Sequence, residues 1–223
     1  MTRRSNQAIA ICAAATLALV AADLGSKEWA SANLSSERAR QAPPVCGGQG
    51  MQRIRGESLV LVEGYLELSY AENCGAAFGL LRDAPDWVRR SIFGLAALAA
   101  SVVLFVMFVQ GRGGGFFAWS VPLIVSGAVG NLADRVRYGY VVDFIRFHLQ
   151  DQWEYPTFNV ADITITVGVA LLIIDGFRQE KQGAEEERAR EAAEAAEAGP
   201  PDDDEGPSPA RRKKKRKKKA PAS

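Results

Sequence analysis

Four charge-poor apolar runs restrict the fold of this chain more than any other feature. They cover Ser5 to Ala22, Ser91 to Gly111, Gly113 to Ala133 and Tyr155 to Ile174. Each is close to the roughly 20 residues that an α-helix needs to cross ~30 Å of hydrocarbon, and the expectation is four transmembrane helices. The mean hydropathy of -0.07 would suit a soluble protein. That average misleads, because about the last forty residues are almost free of apolar side chains and the two parts of the chain are unlike.

The first run has a rival reading. "MTRRSNQAIAICAAATLALVAADLGSK" has a basic start, an apolar middle and small residues near a possible cut, as a secretory signal peptide does. Three further spans downstream favour an uncleaved anchor. Cys12 follows Ile11 inside the apolar stretch, which does not suit a lipoprotein modification site.

Orientation follows from basic residues near the span ends. Arg3 and Arg4 precede the first run and the all-basic "RRKKKRKKK" covers Arg211 to Lys219, so both termini are expected in the cytoplasm, with the tight Gln110 to Gly114 turn on the same side. Asp23 to Arg90 and Asp134 to Glu154 then fall on the outer face. Trp29, Trp87 and Trp153 near outer boundaries, and Trp119 near an inner one, suit interfacial anchors.

Between the spans, "SSERARQAPPVCGGQGMQRIRGE" reads as a loop, and "SLVLVEGYLELSYAENCGAAFGLL" as two or three short strands at the membrane surface. Ser126 and Gly130 stand four apart, as small residues do where two membrane helices approach. Residues 1–180 form one integral-membrane domain. Residues 181–223 form a cytoplasmic tail with an Ala/Glu stretch open to a helical reading, a Pro and acid-rich linker including Asp202 to Glu205, and the basic block. This tail cannot bury a core and is expected to be mostly disordered.

Four carboxylates sit at or inside apolar boundaries: Asp23, Asp134, Asp143 and Asp162. All fall toward the outer side. Asp162 lies a third of the way along "FNVADITITVGVALLIID", where a charge costs roughly 2.5 to 3.5 kcal/mol on insertion scales and usually marks function. The plainer reading is that these groups pair with Arg135, Arg137 or Arg146 and pin helix ends. It is favoured for Asp134, which adjoins Arg135. It is weaker for Asp143 in "GYVVDFI" and for Asp162, whose neighbour one turn back, Asn159, can hydrogen-bond but cannot neutralise a charge. Two carboxylates brought together in a low-dielectric pocket share a proton, which supplies one base and one acid. Aspartic proteases activate water in this way. A single histidine, His148, and three cysteines without ligand spacing leave little room for metal or Ser-His schemes, and there is no phosphate loop or dinucleotide motif.

"NCGAAFG" (Asn73 to Gly79), "GNLADRVRYGYVVDFI" (Gly130 to Ile145) and "FNVADITITVG" (Phe158 to Gly168), with "DLGSK" (Asp23 to Lys27) after the first run, resemble the ordered motifs of the lipoprotein signal peptidases, or signal peptidase II. The likeness runs over most of residues 7–178. It implies four transmembrane helices with a small extracytoplasmic β region, in a bacterial inner membrane. It also implies an aspartyl endopeptidase without cofactor or metal, with Asp143 and Asp162 as its catalytic pair. The implied substrate is a prolipoprotein, cut on the amino side of a diacylglyceryl-modified cysteine. By the same resemblance Asn73, Gly75, Asn131, Arg135 and Asn159 line the substrate site, and Asp23 and Asp134 support it. Gly75, Ala76 and Ala77 are small, as a flap over a lipid-bearing peptide requires.

The interval from Asp23 to Asn73 is longer than is usual for such proteins. "DLGSK" also replaces the more familiar Asp-Gln start. The excess falls around Cys46, and a Cys46 to Cys74 disulfide would tie it to the Asn73 segment; two free thiols are the alternative. The basic tail lies outside the resemblance, with membrane lipid as its expected contact and no nucleic acid. Two other classes remain open: a small proton-coupled transporter, since intramembrane carboxylates also mark proton paths, and a membrane anchor with a basic tail.

Overall fold

The computed structural model describes residues 3–35, 52–54, 56–74, 86–150 and 152–197. Gly75 to Ala77, Cys46, Asp202 to Glu205 and Arg211 to Lys219 lie outside them. The chain falls into two units, Met1–Gln179 and Glu180–Ser223.

Unit one begins with α1, Asn6–Asn33. Ser5 caps it, its hydroxyl accepting from the Ala8 amide at 3.2 Å, which satisfies one of the free donors of the first turn. At 28 residues the helix is about 42 Å long. The first apolar run therefore does not end at Ala22: Asp23 and Lys27 lie inside the helix, paired with each other at 2.8 Å. An i, i+4 pair neutralises both charges, so the helix continues through them.

Next come the strands β1 (Gln52–Ile54), β2 (Leu59–Val62) and β3 (Leu66–Asn73). After them stand the helices α2 (Asp86–Val109) and α3 (Gly115–Arg137), the hairpin β4 (Val141–Leu149) and β5 (Trp153–Glu154), and α4 (Val160–Glu197). Among the described residues α1, α3 and α4 are long and apolar enough to cross a membrane, while α2 contributes a shorter apolar stretch, Gly94–Val109. The molecule is a membrane-type helical protein with three long apolar helices and a small antiparallel sheet. Apolar side chains with no protein cover line the helix sides, among them Leu17 at 70% exposure and Leu95 at 66%, as a hydrocarbon solvent permits.

The segment read as two or three strands supplies two, β2 and β3; the sheet is larger because Gln52–Ile54, within the stretch read as loop, and Val141 to Glu154 also pair. β3 lies between β1 and β2 on one side, at Gln52 opposite Asn73 and Leu59 opposite Leu68, and β4 on the other. The register slips between Leu68 opposite Ile145 and Ala71 opposite Asp143. A bulge of this kind re-aims side chains, and here Asp143 is buried. Its turn from α3 uses Gly139 at φ 82°, whose amide bonds the Arg135 carbonyl at 3.1 Å; an αL residue closes the helix and reverses the chain.

α3 is the central helix. A Cβ on Gly130 would overlap the Asp23 carboxylate, so the absent side chain is what lets α1 and α3 approach, as its four-residue spacing from Ser126 suggested. Gly130→Val should destabilise the protein by about 1–3 kcal/mol through overpacking, read as a lowered thermal midpoint in detergent. A midpoint equal to wild type would show that the two helices part easily at this point.

One core cluster joins Ala30 of α1 and its C-cap Leu34 to Tyr70, Val142 and Phe144 of the sheet; a second joins Cys12, Phe108, Phe117 and Val121. Near this second cluster Asp175, missed among the boundary carboxylates, accepts from the Gly114 amide at 2.9 Å and caps α3. Arg4 donates there to the Gly113 carbonyl at 3.3 Å. Cys12 is a buried free thiol and Cys74 is disulfide-bonded.

Of unit two, the described residues are the last turns of α4, through Glu197. The Ala/Glu stretch of the tail, open to a helical reading from its sequence, is helical to that point, with exposed i, i+4 pairs such as Arg190 with Glu194 at 2.8 Å.

Candidate active site

α4 starts at Val160, not at Tyr155 as the apolar run suggests. Phe158 is still extended and pairs with Ile145, their amides and carbonyls bonding at 2.8 and 3.0 Å. Asn159 then caps the helix. Its side-chain oxygen accepts from the Asp162 amide at 3.0 Å, and the Asp162 carboxylate accepts from the Asn159 amide at 3.3 Å. This is a reciprocal capping box. Asp162 is therefore in the first turn, beside the positive end of the helix dipole, and the mid-helix insertion cost does not apply to it.

The same Asn159 reaches the other aspartate, its amide group donating to Asp143 Oδ1 at 2.6 Å. Asn73, at the end of β3, donates to Asp143 Oδ2 at 2.9 Å. Asn131, on α3, donates to Asp162 Oδ1 at 2.9 Å. Among the described residues each aspartate is thus held by two amides, and Asn159 touches both. Asp143 is fully buried while Asp162 is part-exposed. Burial, followed by the negative charge of Asp162, pushes the Asp143 carboxyl up to about 7, and the Asn73 and Asn159 hydrogen bonds oppose the rise.

Beneath the pair lies a buried ionic cluster. Lys27 contacts Asp23 Oδ2 at 2.8 Å, Asp134 Oδ2 at 3.0 Å and Asn131 Oδ1 at 3.0 Å. Asp23 Oδ1 accepts from the Ala161 amide at 2.8 Å, satisfying another first-turn donor of α4. Asp134 Oδ2 accepts from the Val142 amide at 3.1 Å, one residue before Asp143. Both supporting carboxylates therefore set the backbone next to the aspartates above.

The arginine pairing expected for these carboxylates is not what forms. Asp134 pairs with Lys27 instead of Arg135, because Arg135 extends from the next position and donates to the Asn131 carbonyl at 3.1 Å, its charge interacting with Asp143, Asp162 and Asp134. Arg137 pairs with Glu28, and Arg146 with Glu67 and Glu154. Lys27 was missed as a site residue, although a Lys four positions after an Asp in an apolar helix is a legible signal. The N-x-x-D spacing of Asn159 and Asp162, read as a hydrogen-bonding neighbour one turn back, is in addition a helix cap. Of the residues singled out from sequence, Asn73, Asn131, Arg135, Asn159, Asp23, Asp134, Asp143 and Asp162 converge on this one end of the molecule; Gly75 lies outside the described residues.

Known proteins resemble this chain over most of residues 1–179. Residues 15–178 match the family model of signal peptidase (SPase) II. A lipoprotein signal peptidase of Clostridium tetani is 38% identical over 131 residues, covering 56% of this chain and 81% of that one. One of Pseudomonas fluorescens is 41% identical over 128 residues, 57% and 75% of the two chains, and one of Photorhabdus laumondii 44% over 122 residues, 54% and 71%. A solved structure described as a bacterial membrane enzyme superposes with a TM-score of 0.60 over 82% of this chain and 95% of that one; at 24% identity it speaks for the fold alone. With three long apolar helices and the family match over most of its first 180 residues, the chain belongs to the signal peptidase II family: it is an aspartic-type peptidase of the bacterial inner membrane that removes signal peptides from prolipoproteins.

Proposed function

We propose that Asp143 and Asp162 are the catalytic pair, with Asp162 the base and Asp143 the acid, and that the bond cut is the one on the amino side of a diacylglyceryl-modified cysteine. The observation that carries this reading is Asn159, which hydrogen-bonds both carboxylates at once. The asymmetry supports the roles. Asp143 is fully buried and pushed up to about 7, which favours its protonated form; Asp162 is part-exposed, at a helix N-terminus that favours an anion.

The chemistry then runs without a covalent intermediate. Asp162 takes a proton from water as the water oxygen bonds to the scissile carbonyl carbon. Protonated Asp143 donates a hydrogen bond to the oxygen that becomes negative. As the carbon–nitrogen bond breaks, the proton on Asp162 passes to the leaving nitrogen, which returns the pair to its starting state. Asn73, Asn131, Asn159 and Arg135 hold the aspartates and the nearby field in place. A site at the end of membrane helices suits a substrate whose acyl chains stay in the bilayer.

A pH profile tests the assignment. The acid must be protonated, so kcat/KM for a diacylated prolipoprotein in detergent should fall as pH rises through about 7, the value to which Asp143 is pushed. Stability should follow the same sign. The folded state holds the Asp143 proton more tightly than an unfolded chain, with its carboxylate near ~3.9, so this contribution is fully present below that value and lost as pH rises through about 7. A profile flat across neutral pH would remove Asp143 from the acid role.

Both termini are placed in the cytoplasm in this reading, with the sheet outside. The support is the basic flanks, Arg3, Arg4 and Arg211 to Lys219. The nine-residue basic block "RRKKKRKKK" then faces an anionic leaflet that attracts each charge by about 1 kcal/mol, offset in part by Asp202 to Glu205. Trypsin added to spheroplasts should leave the block uncut, and in opened vesicles anionic lipid should protect it better than neutral lipid. Cutting from outside would reverse the topology, and equal cutting in both lipids would end the lipid contact.

A further inference from the structure

We infer that Lys27 is a positioning residue for the aspartate pair: by offering only donors to Asn131 it fixes which way the Asn131 amide faces, and so keeps Asp162 as the acceptor in the pair. The inference rests on the reading of Asp143 and Asp162 given above.

A lysine ammonium has three N–H donors and no acceptor. Lys27 is buried and meets three acceptors, Asp23 Oδ2 at 2.8 Å, Asp134 Oδ2 at 3.0 Å and Asn131 Oδ1 at 3.0 Å. All three neighbours are acceptors; the ammonium charge reaches Asp143 through space, and its hydrogen-bonded route to Asp162 runs through Asn131. The two ends of an amide are nearly alike in shape, so the chemistry of the neighbours decides its orientation. With Lys27 on one side, the oxygen of Asn131 must face Lys27 and its NH2 must face Asp162, where it donates at 2.9 Å.

The second amide is fixed in the same sense. Asn159 presents its oxygen to the Asp162 amide at 3.0 Å, so its NH2 faces Asn131 Oδ1 at 3.2 Å and Asp143 Oδ1 at 2.6 Å. One direction of donation thus runs from Lys27 through Asn131 to Asp162. A residue that could also accept would let Asn131 turn over and present its oxygen to Asp162, which would take away the donor on Asp162 Oδ1.

The test compares wild type, Lys27→Gln and the pair Lys27→Met/Asp134→Asn, which removes one positive and one negative charge together, in the full-length enzyme in detergent. The charged groups that bear on the profile are Asp23 on α1, Asp134 and Arg135 on α3, Asp143 on β4 and Asp162 on α4. The readouts are kcat, KM and the pH profile of kcat for a diacylated prolipoprotein, with a thermal melt. In both variants kcat should fall about 10- to 100-fold, as when the outer partner of a catalytic group is lost. KM should stay within about 3-fold, since uniform binding is untouched, and the pH profile of kcat should change shape because the Asn131 donor to Asp162 Oδ1 is no longer oriented.

A kcat loss that only tracks the folded fraction, with the pH profile unchanged, would make Lys27 structural and overturn the inference, as would failure of both variants to fold. Asp143→Asn and Asp162→Asn are assayed alongside. Turnover by either defeats the paired-aspartate reading itself, whereas two inactive aspartate variants beside an unshifted Lys27→Gln profile defeat the Lys27 inference alone.

Discussion

Asp143→Asn and Asp162→Asn should each abolish cleavage of a diacylated prolipoprotein, with turnover lowered at least 10²- to 10⁴-fold, the range over which positioned acids and bases contribute. The substitution keeps shape and removes titration, so it separates chemistry from packing. The surroundings refine the expectation for stability. Both oxygens of Asp143 accept from amide groups, those of Asn73 and Asn159, and an asparagine there turns one donor against another donor. The expected cost is about 1–3 kcal/mol, that of a buried polar group left unmatched. At Asp162 the loss is smaller, because the asparagine oxygen can still accept from either Asn131 or the Asn159 amide. Both variants should insert and bind the lipidated substrate. Gel-shift cleavage, substrate binding and a thermal melt decide the matter together; substantial turnover by either variant would sink the paired mechanism, and full activity in both would return the aspartates to a purely structural role.

The second large effect is on folding. Asp134→Ala removes one of the two carboxylates on buried Lys27 and strips the Val142 amide of its acceptor. Breaking a buried ion pair costs about 3–5 kcal/mol, and because Asp23 still holds Lys27 at 2.8 Å the lower end of that range is expected. Asp134→Asn should cost less than alanine, since its side-chain oxygen can still accept from Val142. In both, the folded fraction should continue to cleave, because Asp134 acts on β4 through the backbone. The comparison with Arg135→Ala is informative: were Arg135 the partner of Asp134, the two changes would destabilise alike. A thermal midpoint for Asp134→Ala within a degree or so of wild type would show that the Lys27 contact contributes nothing to the fold.

Much of this arrangement was legible in the amino-acid order. Apolar runs of membrane-crossing length show in one dimension because hydrocarbon is a uniform solvent, and their length alone is diagnostic. The tight turn between Gln110 and Gly114 and the small-residue approach at Gly130 were local signals of the same kind. The motifs "VVDF" and "NVAD" pointed to Asp143 and Asp162 before any coordinates. Apolarity could not mark where a helix begins. Tyr155 to Phe158 carries no charge and runs on into the helix without a break in the sequence, yet Phe158 is claimed by Ile145 of β4, and only the reciprocal Asn159 and Asp162 cap shows that the carboxylate stands at a helix end. Nor could sequence adjacency choose the partner of Asp134. Arg135 is its neighbour in the chain, but adjacent helical residues point apart, whereas Lys27 arrives from another helix because Gly130 has no side chain to keep α1 away. Residue types and local spacing were settled by the chain itself; which donor meets which carboxylate was decided by the packing of α1, α3, β4 and α4, since hydrogen bonds depend on distances that no linear spacing contains.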